Sequence, residues 1–244
     1  IGILAGIDNH RKLRLSGKEM SQFETLTDAW LLVEDRRFSK WGCMAAMPAE
    51  GISADQTVDA HGGCVMPSWC DPHTHIVYAG SREGEFVDKI RGLSYAEIAK
   101  RGGGILNSAD LLHRTSEEEL YSQTMARVRE MIAKGTGAIE IKSGYGLTLE
   151  DELKMLRVIR RIKKDSPATI KATFLGAHAV GRAFKGRQNE YVNLVCEEMI
   201  PAVAAEGLAE YVDVFCDEGF FTVAETDRIL SAGAAYGLIP KIHA

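Results

Sequence analysis

The sequence lacks the features of disulfide-rich, membrane and nucleic-acid-binding proteins. Its five cysteines are odd in number and widely spaced, with no CxxC pair, a pattern that favours a reducing compartment. No stretch reaches the roughly 18 apolar residues of a membrane span. The formal net charge is −5 and no block of Lys and Arg is present, so nucleic acid is not an expected partner. These observations predict a cytoplasmic protein that binds neither nucleic acid nor membrane.

Glycine-rich phosphate loops are also missing. No GxGxxG or Walker sequence follows a predicted strand, which argues against nucleotide binding. What remains is a composition typical of a globular protein, with 45% hydrophobic and 26% charged residues.

The sequence pattern of residues 1–63 predicts short strands separated by polar turns. The β-favouring runs 29–34 and 38–42 flank a polar turn, which predicts a hairpin with Arg36 where glycine is usual. Residues 57–60 predict one more strand. This region is too short to form a robust sheet alone, so we expect it to pack on a larger structure.

From Cys64 onward, strand and helix patterns alternate. Strands are predicted at 64–75, 138–142, 169–175, 211–216 and 240–243, and helices at 116–134, 148–164, 189–206 (broken at Pro201) and 222–236. This alternation predicts an α/β fold built from parallel βα units, either a doubly wound sheet or a (β/α)8 barrel. A barrel has eight strands and about 250 residues. We therefore expect five of its eight units here, with the chain incomplete at its C-terminal end.

The sequence Asp71-Pro72-His73-Thr74-His75 gives the strongest chemical signal. Side chains two positions apart on a strand point to the same face, so His73 and His75 can bind one metal ion together. They follow an apolar strand, at the end where barrel enzymes carry their active sites. His178 and His243 also end predicted strands, so we expect all four imidazoles at one edge of the sheet.

Three further residues are candidates for ligand contacts or ion pairing. Tyr145 lies between two glycines in a loop that follows the second strand, and Arg82, after the first strand, can bind a carboxylate through two hydrogen bonds. Each also has an ordinary interpretation, as a packing tyrosine and a surface ion pair. Lys142 has no metal-binding partner near it in sequence and is predicted to form a structural ion pair. His10, His61 and His113 are assigned to the surface or to turns.

Several of these segments together resemble the imidazolonepropionases of the amidohydrolase superfamily. They are 71–75, 80–83, 102–105, 141–146, 176–179, 214–216 and 242–244. The HxH pair is common to the superfamily, whereas Lys-Ser-Gly-Tyr-Gly combined with Gly-Ala-His is much more specific.

The resemblance implies a (β/α)8 TIM barrel over residues 64–244 and a small β-sandwich formed by both chain ends, with 1–63 as its N-terminal part. It implies one divalent metal, zinc or iron, held by His73, His75, His243 and an aspartate beyond Ala244. Metal-activated water would hydrolyse the small-molecule substrate 4-imidazolone-5-propanoate to N-formimino-L-glutamate, a step of histidine degradation. The substrate-binding residues would be Arg82, Tyr145, His178 and Tyr95, with His178 also catalytic, and the protein would be a homodimer.

Two other interpretations stay open. Another amidohydrolase, such as a deaminase or a hydantoinase-like enzyme, would share the metal site but lack an anchor for the propanoate. Arg82 and Tyr145 argue against it. The other interpretation is an inactive homologue or a metal-binding scaffold, which the incomplete barrel makes a real alternative.

Overall fold

The computed structural model describes residues 1–7, 12, 14–94, 97 and 104–243. These residues form two compact units, Ile1–Ser68 and Trp69–Ala244.

The first unit consists of short strands. They are β1 (Ile3–Ala5), β2 (Thr25–Thr27), β3 (Ala29–Glu34), β4 (Arg37–Cys43) and β5 (Cys64–Val65). β1 lies between β2, which is antiparallel to it, and β5, which is parallel. β3 and β4 form a separate antiparallel pair.

The predicted hairpin is confirmed by the pairing of β3 with β4. Asp35 and Arg36 connect the strands, with φ values of 49° and 62°. Positive φ at both central residues is the requirement of a type I′ turn, so Arg36 occupies a backbone conformation that favours glycine. The strand predicted at 57–60 is wrong. There the Asp59 carboxylate accepts the His61 backbone N–H at 2.8 Å, and this local turn takes the place of pairing with another strand.

The second unit is built on a parallel five-stranded sheet. Its strands are β6 (Trp69–Thr74), β7 (Thr136–Lys142), β8 (Thr169–Ala177), β9 (Tyr211–Val214) and β10 (Ile239–Pro240). They lie in the order β10-β9-β8-β7-β6, and each pair of neighbours is parallel. The predicted α/β fold with a parallel sheet is confirmed. The single strand predicted at 64–75 is corrected to two, because β5 pairs in the first unit and β6 in the second.

Helices connect these strands. Those described are Glu83–Ile90, Ile105–Arg114, Glu117–Ala133, Leu149–Asp165, Gln188–Leu194, Ile200–Ala205 and Val223–Ala235. Ser116, Thr148 and Thr222 cap three of them by accepting backbone N–H groups. The helix predicted over 189–206 changes to a π-helical segment, Val195–Met199, just before Pro201. The first two helices lie where the sequence predicted only irregular structure.

The core of the second unit lies between the sheet and its helices. Ile139 and Ile141 of β7, Phe174 of β8 and Val212 of β9 are almost fully buried. They pack against apolar residues of Leu149–Asp165 and neighbouring helices. Because parallel strands share one direction, their C-terminal ends form one edge of the sheet, and the polar residues that follow them meet there. None of the helices in the described ranges combines the length and apolarity needed to cross a membrane.

Candidate metal centre and substrate site

Three histidines converge at the C-terminal edge of the parallel sheet. His73 lies near the end of β6, His75 directly follows that strand, and His243 pairs with the residue after β9 in an isolated parallel bridge. One ring nitrogen from each histidine lies within 4.8 Å of the other two. The Nε2 atoms of His73 and His75 are 3.1 Å apart. The sequence prediction that these three side chains share one site agrees with this geometry.

The alternation of β6 directs this convergence. Thr74, between the two histidines, points to the interior and donates its hydroxyl to the Glu140 carbonyl of β7 at 2.5 Å. Its neighbours on either side therefore share the opposite face of the chain, as the two-residue period of a strand requires. Asp71 accepts the His73 backbone N–H at 3.2 Å and supports the same conformation.

The imidazoles of this cluster are suited to a metal ion. Burial, followed by the charges of the other histidines, lowers the pKa of His75 to about 3, and burial also lowers the pKa of His73. Both rings are therefore neutral at pH 7, the form that ligates metals. Within the described ranges, the buried Nδ1 of His75 has no hydrogen-bond partner. Three imidazole nitrogens within reach of one point fit a divalent metal such as zinc.

His243 is held in place by Asp213, a residue of β9 that the sequence did not single out. Its Nδ1 lies 3.0 Å from Asp213 Oδ2, which leaves Nε2 for the cluster. Burial acts to raise the pKa of Asp213, but hydrogen bonds from His243 and Lys142 and the Lys142 charge hold it at about 2. A carboxylate behind a histidine ligand fixes the tautomer and orientation of the ring.

Lys142 takes part in structural ion pairing, as predicted, and it has two carboxylate partners. Its Nζ lies 2.6 Å from Asp213 Oδ2 and 2.7 Å from Glu140 Oε1, with all three side chains buried. Lys241 completes the group through an ion pair with Glu140. The one sequence signal for this network is the presence of charged residues within strands that are otherwise apolar.

Replacing Asp213 with asparagine is expected to weaken metal affinity about 10–100-fold, because the uncharged amide holds and polarises His243 less well. Competition with a chromophoric chelator measures this affinity without relying on turnover. Asp151→Asn is the matched control. Asp151 is also buried and lies 2.7 Å from a histidine Nδ1, that of His113, but outside the cluster. Equal affinity in wild type and the Asp213 variant would contradict the assigned role.

Tyr145 and His178 lie beside the three histidines. The His178 ring stacks on His75, with centroids 4.9 Å apart and planes at 22°. The Tyr145 centroid is 5.3 Å from that of His178 and 5.8 Å from that of His75. Burial lowers the pKa of His178 to about 4, so its ring is neutral at pH 7. Its Nδ1 lies 2.9 Å from the Gly144 carbonyl, to which it donates, and this leaves an unprotonated Nε2.

Arg82 begins the helix Glu83–Ile90 and lies near the same cluster. Its charge is one of the influences that lower the pKa of His178, after burial and the charge of His243. Its guanidinium is 3.7 Å from the Glu85 carboxylate and about one third exposed, at 37%. Tyr95, the remaining predicted substrate contact, is outside the described residues, as is His10. His61 lies in an exposed turn and His113 on the surface, as predicted.

Comparison with known proteins links this site to one group of enzymes. The chain is 55% identical over 236 residues to the imidazolonepropionase of Flavobacterium psychrophilum. The matched residues make up 97% of this chain and 57% of that protein. It is 54% identical over 231 residues to that of Christiangramia forsetii, covering 95% and 56%. For the Polaromonas imidazolonepropionase the identity is 46% over 224 residues, covering 92% and 52%. The resemblance to imidazolonepropionases is confirmed.

The chain spans a little over half the length of these imidazolonepropionases. No family model matches it. Among solved structures, it is similar to a 5-methylcytosine deaminase from Klebsiella pneumoniae liganded with 5-fluorocytosine. That match has a TM-score of 0.57 and 14% identity, and it covers 88% of this chain and 47% of the deaminase. At this identity the likeness shows a shared fold alone.

Proposed function

We propose that the protein is an imidazolonepropionase, which hydrolyses 4-imidazolone-5-propanoate to N-formimino-L-glutamate in histidine degradation. The observation that carries the proposal is the gathering of His73, His75, His178, His243 and Tyr145 at one edge of the sheet. This gathering occurs in a chain more than half identical to imidazolonepropionases.

In this proposal, His73, His75 and His243 hold one divalent metal, zinc or iron. Such an ion, when bound, polarises an amide carbonyl and lowers the pKa of water toward 7. Asp213 keeps Nε2 of His243 directed at the cluster, and burial keeps the rings of His73 and His75 neutral.

The remaining residues bind and orient the substrate. Arg82 offers two parallel N–H donors to the propanoate carboxylate, and the Tyr145 phenol supplies a further polar contact beside the ring. His178, neutral and protonated at Nδ1, can take up a proton at Nε2 during ring opening, which makes it the proposed catalytic residue. Tyr95 is proposed as an additional substrate contact on the resemblance alone.

We further propose that residues 69–244 supply the first five βα units of a (β/α)8 barrel and residues 1–68 part of a small β-sandwich. The sheet order supports the barrel, because β6 to β10 follow one another without the reversal of a doubly wound sheet. We also propose a cytoplasmic location and a homodimer. The homodimer rests on the resemblance alone.

The proposal is tested by following loss of imidazolone absorbance with the full-length protein, together with metal content. Arg82→Ala is expected to raise KM for 4-imidazolone-5-propanoate about 10–100-fold, because a charged hydrogen-bonded pair is lost. An imidazolone without the propanoate should be turned over equally by wild type and variant. Arg187→Ala, which removes a surface arginine paired with Glu190, is the control.

Metal without turnover of this substrate would contradict the proposed substrate and favour another cyclic amide or a deaminase reaction. Absence of both metal and turnover would contradict the enzyme assignment and leave an inactive homologue.

A further inference from the structure

A buried carboxylate organises the loop that carries Tyr145. Glu152 belongs to the first turn of the helix Leu149–Asp165 and is fully buried. Its Oε1 accepts backbone N–H groups from Gly146 at 2.8 Å and Leu147 at 2.9 Å, and its Oε2 accepts that of Gly144 at 3.0 Å. Every oxygen of this carboxylate is therefore directed at the backbone of residues 143–147.

The backbone of residues 143–147 is folded to fit this carboxylate. Gly144 has φ of +110° and Leu147 a φ of +55°, so N–H groups that would ordinarily alternate in direction converge on one carboxyl group. Leu147 is buried and adopts this conformation despite its side chain, which strains the backbone there. A Cβ at Gly146 would lie 2.4 Å from the Glu152 nitrogen, so the loop lies directly against the helix.

Two residues of the proposed substrate site depend on this loop. Tyr145 lies between the two glycines whose N–H groups Glu152 binds. The Gly144 carbonyl accepts a hydrogen bond from Nδ1 of His178, which sets the tautomer of that ring. A shift of Gly144 would therefore move Tyr145 and remove the partner of His178 together.

We propose that Glu152 is a positioning residue that fixes Tyr145 and His178 for the substrate. It touches neither the substrate nor the metal ligands and acts through the backbone of residues 143–147. This role rests on the proposed function, since it concerns the residues assigned there to substrate binding and proton transfer.

The kinetic test is Glu152→Gln in the full-length, metal-loaded protein. The oxygen of the glutamine amide can still accept the N–H groups of Gly146 and Leu147. Its NH2 group, however, faces the N–H of Gly144, so two donors meet and the loop must shift. We expect kcat/KM to fall about 10–100-fold, with KM raised as well as kcat lowered, because small displacements of positioning groups have effects of this size. A merely structural role would lower the active fraction, which reduces kcat and leaves KM unchanged.

Asp151→Asn is the matched control, because Asp151 is a buried acid of the same helical turn. It pairs with Lys154 and His113 and makes no hydrogen bond to residues 143–147. Its substitution should lower the melting temperature while KM stays at the wild-type value. Equal KM values for wild type and the Glu152 variant would overturn the proposal.

A second readout separates this proposal from the proposed function. In protein labelled with ¹⁵N-histidine, the Nδ1–H resonance of His178, assigned with His178→Asn, should be protected from exchange in wild type and in the Asp151 variant. It should shift and exchange faster in the Glu152 variant. If the wild type turned over no imidazolone, the proposed function would fail, and an unchanged His178 resonance in the Glu152 variant would independently refute the positioning role.

Discussion

Replacing His73 with alanine is expected to remove the metal and the activity together. His73 supplies one of three nitrogens that lie within 4.8 Å of one another, and its Nε2 is 3.1 Å from that of His75. The remaining ligands cannot hold the ion in the same geometry, and the lost charge stabilisation of several kcal/mol corresponds to about 10³-fold or more in kcat. Metal analysis of the purified variant and its turnover of 4-imidazolone-5-propanoate measure both effects.

His61→Ala is the control for this experiment, because His61 lies in an exposed turn outside the cluster. It should keep the metal content, kcat and KM of the wild type. A His73 variant that lost activity but bound a full equivalent of metal at wild-type affinity would show that His73 is not a ligand. In that case the metal site would have to be sought elsewhere in the full-length protein.

The convergence of the histidines was predictable because it follows from the periodicity of strands. Residues two apart on β6 share a face, and the C-terminal ends of parallel strands share an edge, so His73, His75, His178 and His243 were expected together. Neither step requires knowledge of the packing. The hairpin of β3 and β4 was predictable for the same kind of reason, since two β-favouring runs flank a short polar turn.

The groups that support this cluster could not be predicted, because they depend on register between distant strands. Lys142 and Asp213 are 71 residues apart and meet only through the alignment of β7, β8 and β9. Glu152 resembles any acidic residue in the first turn of a helix, where negative charge is favourable in general. Its contacts with Gly144 and Gly146 follow from the positive φ of the loop, which the sequence does not specify.

Two helices were missed for local reasons. Ile105–Arg114 follows Gly104 and has no side-chain cap, so the usual start signal is absent. Glu83–Ile90 is short, contains Gly84, and exposes Phe86 and Ile90. Its apolar residues have helical spacing, but none of them is buried, so packing does not reinforce the helix.

Replacing Lys142 with methionine is expected to destabilise the protein by roughly 3–5 kcal/mol, the effect of removing one partner from a buried ion pair. Lys142 is almost fully buried and lies between the Glu140 and Asp213 carboxylates, also buried. Methionine fills a similar volume, so the loss reflects charge more than packing. Urea unfolding in the presence of a chelator measures the change without the contribution of metal binding.

Lys171→Met is the control, because Lys171 lies on the adjacent strand β8 but is half exposed at 50%, with Glu210 at 3.6 Å. Its loss should change the free energy of unfolding by less than about 1 kcal/mol. If the carboxylates cause the destabilisation, adding Glu140→Gln and Asp213→Asn to Lys142→Met should restore part of the lost stability, since the former partners of Lys142 no longer carry buried negative charge. A triple variant less stable than Lys142→Met alone would contradict the electrostatic explanation and attribute the effect to lost hydrogen bonds.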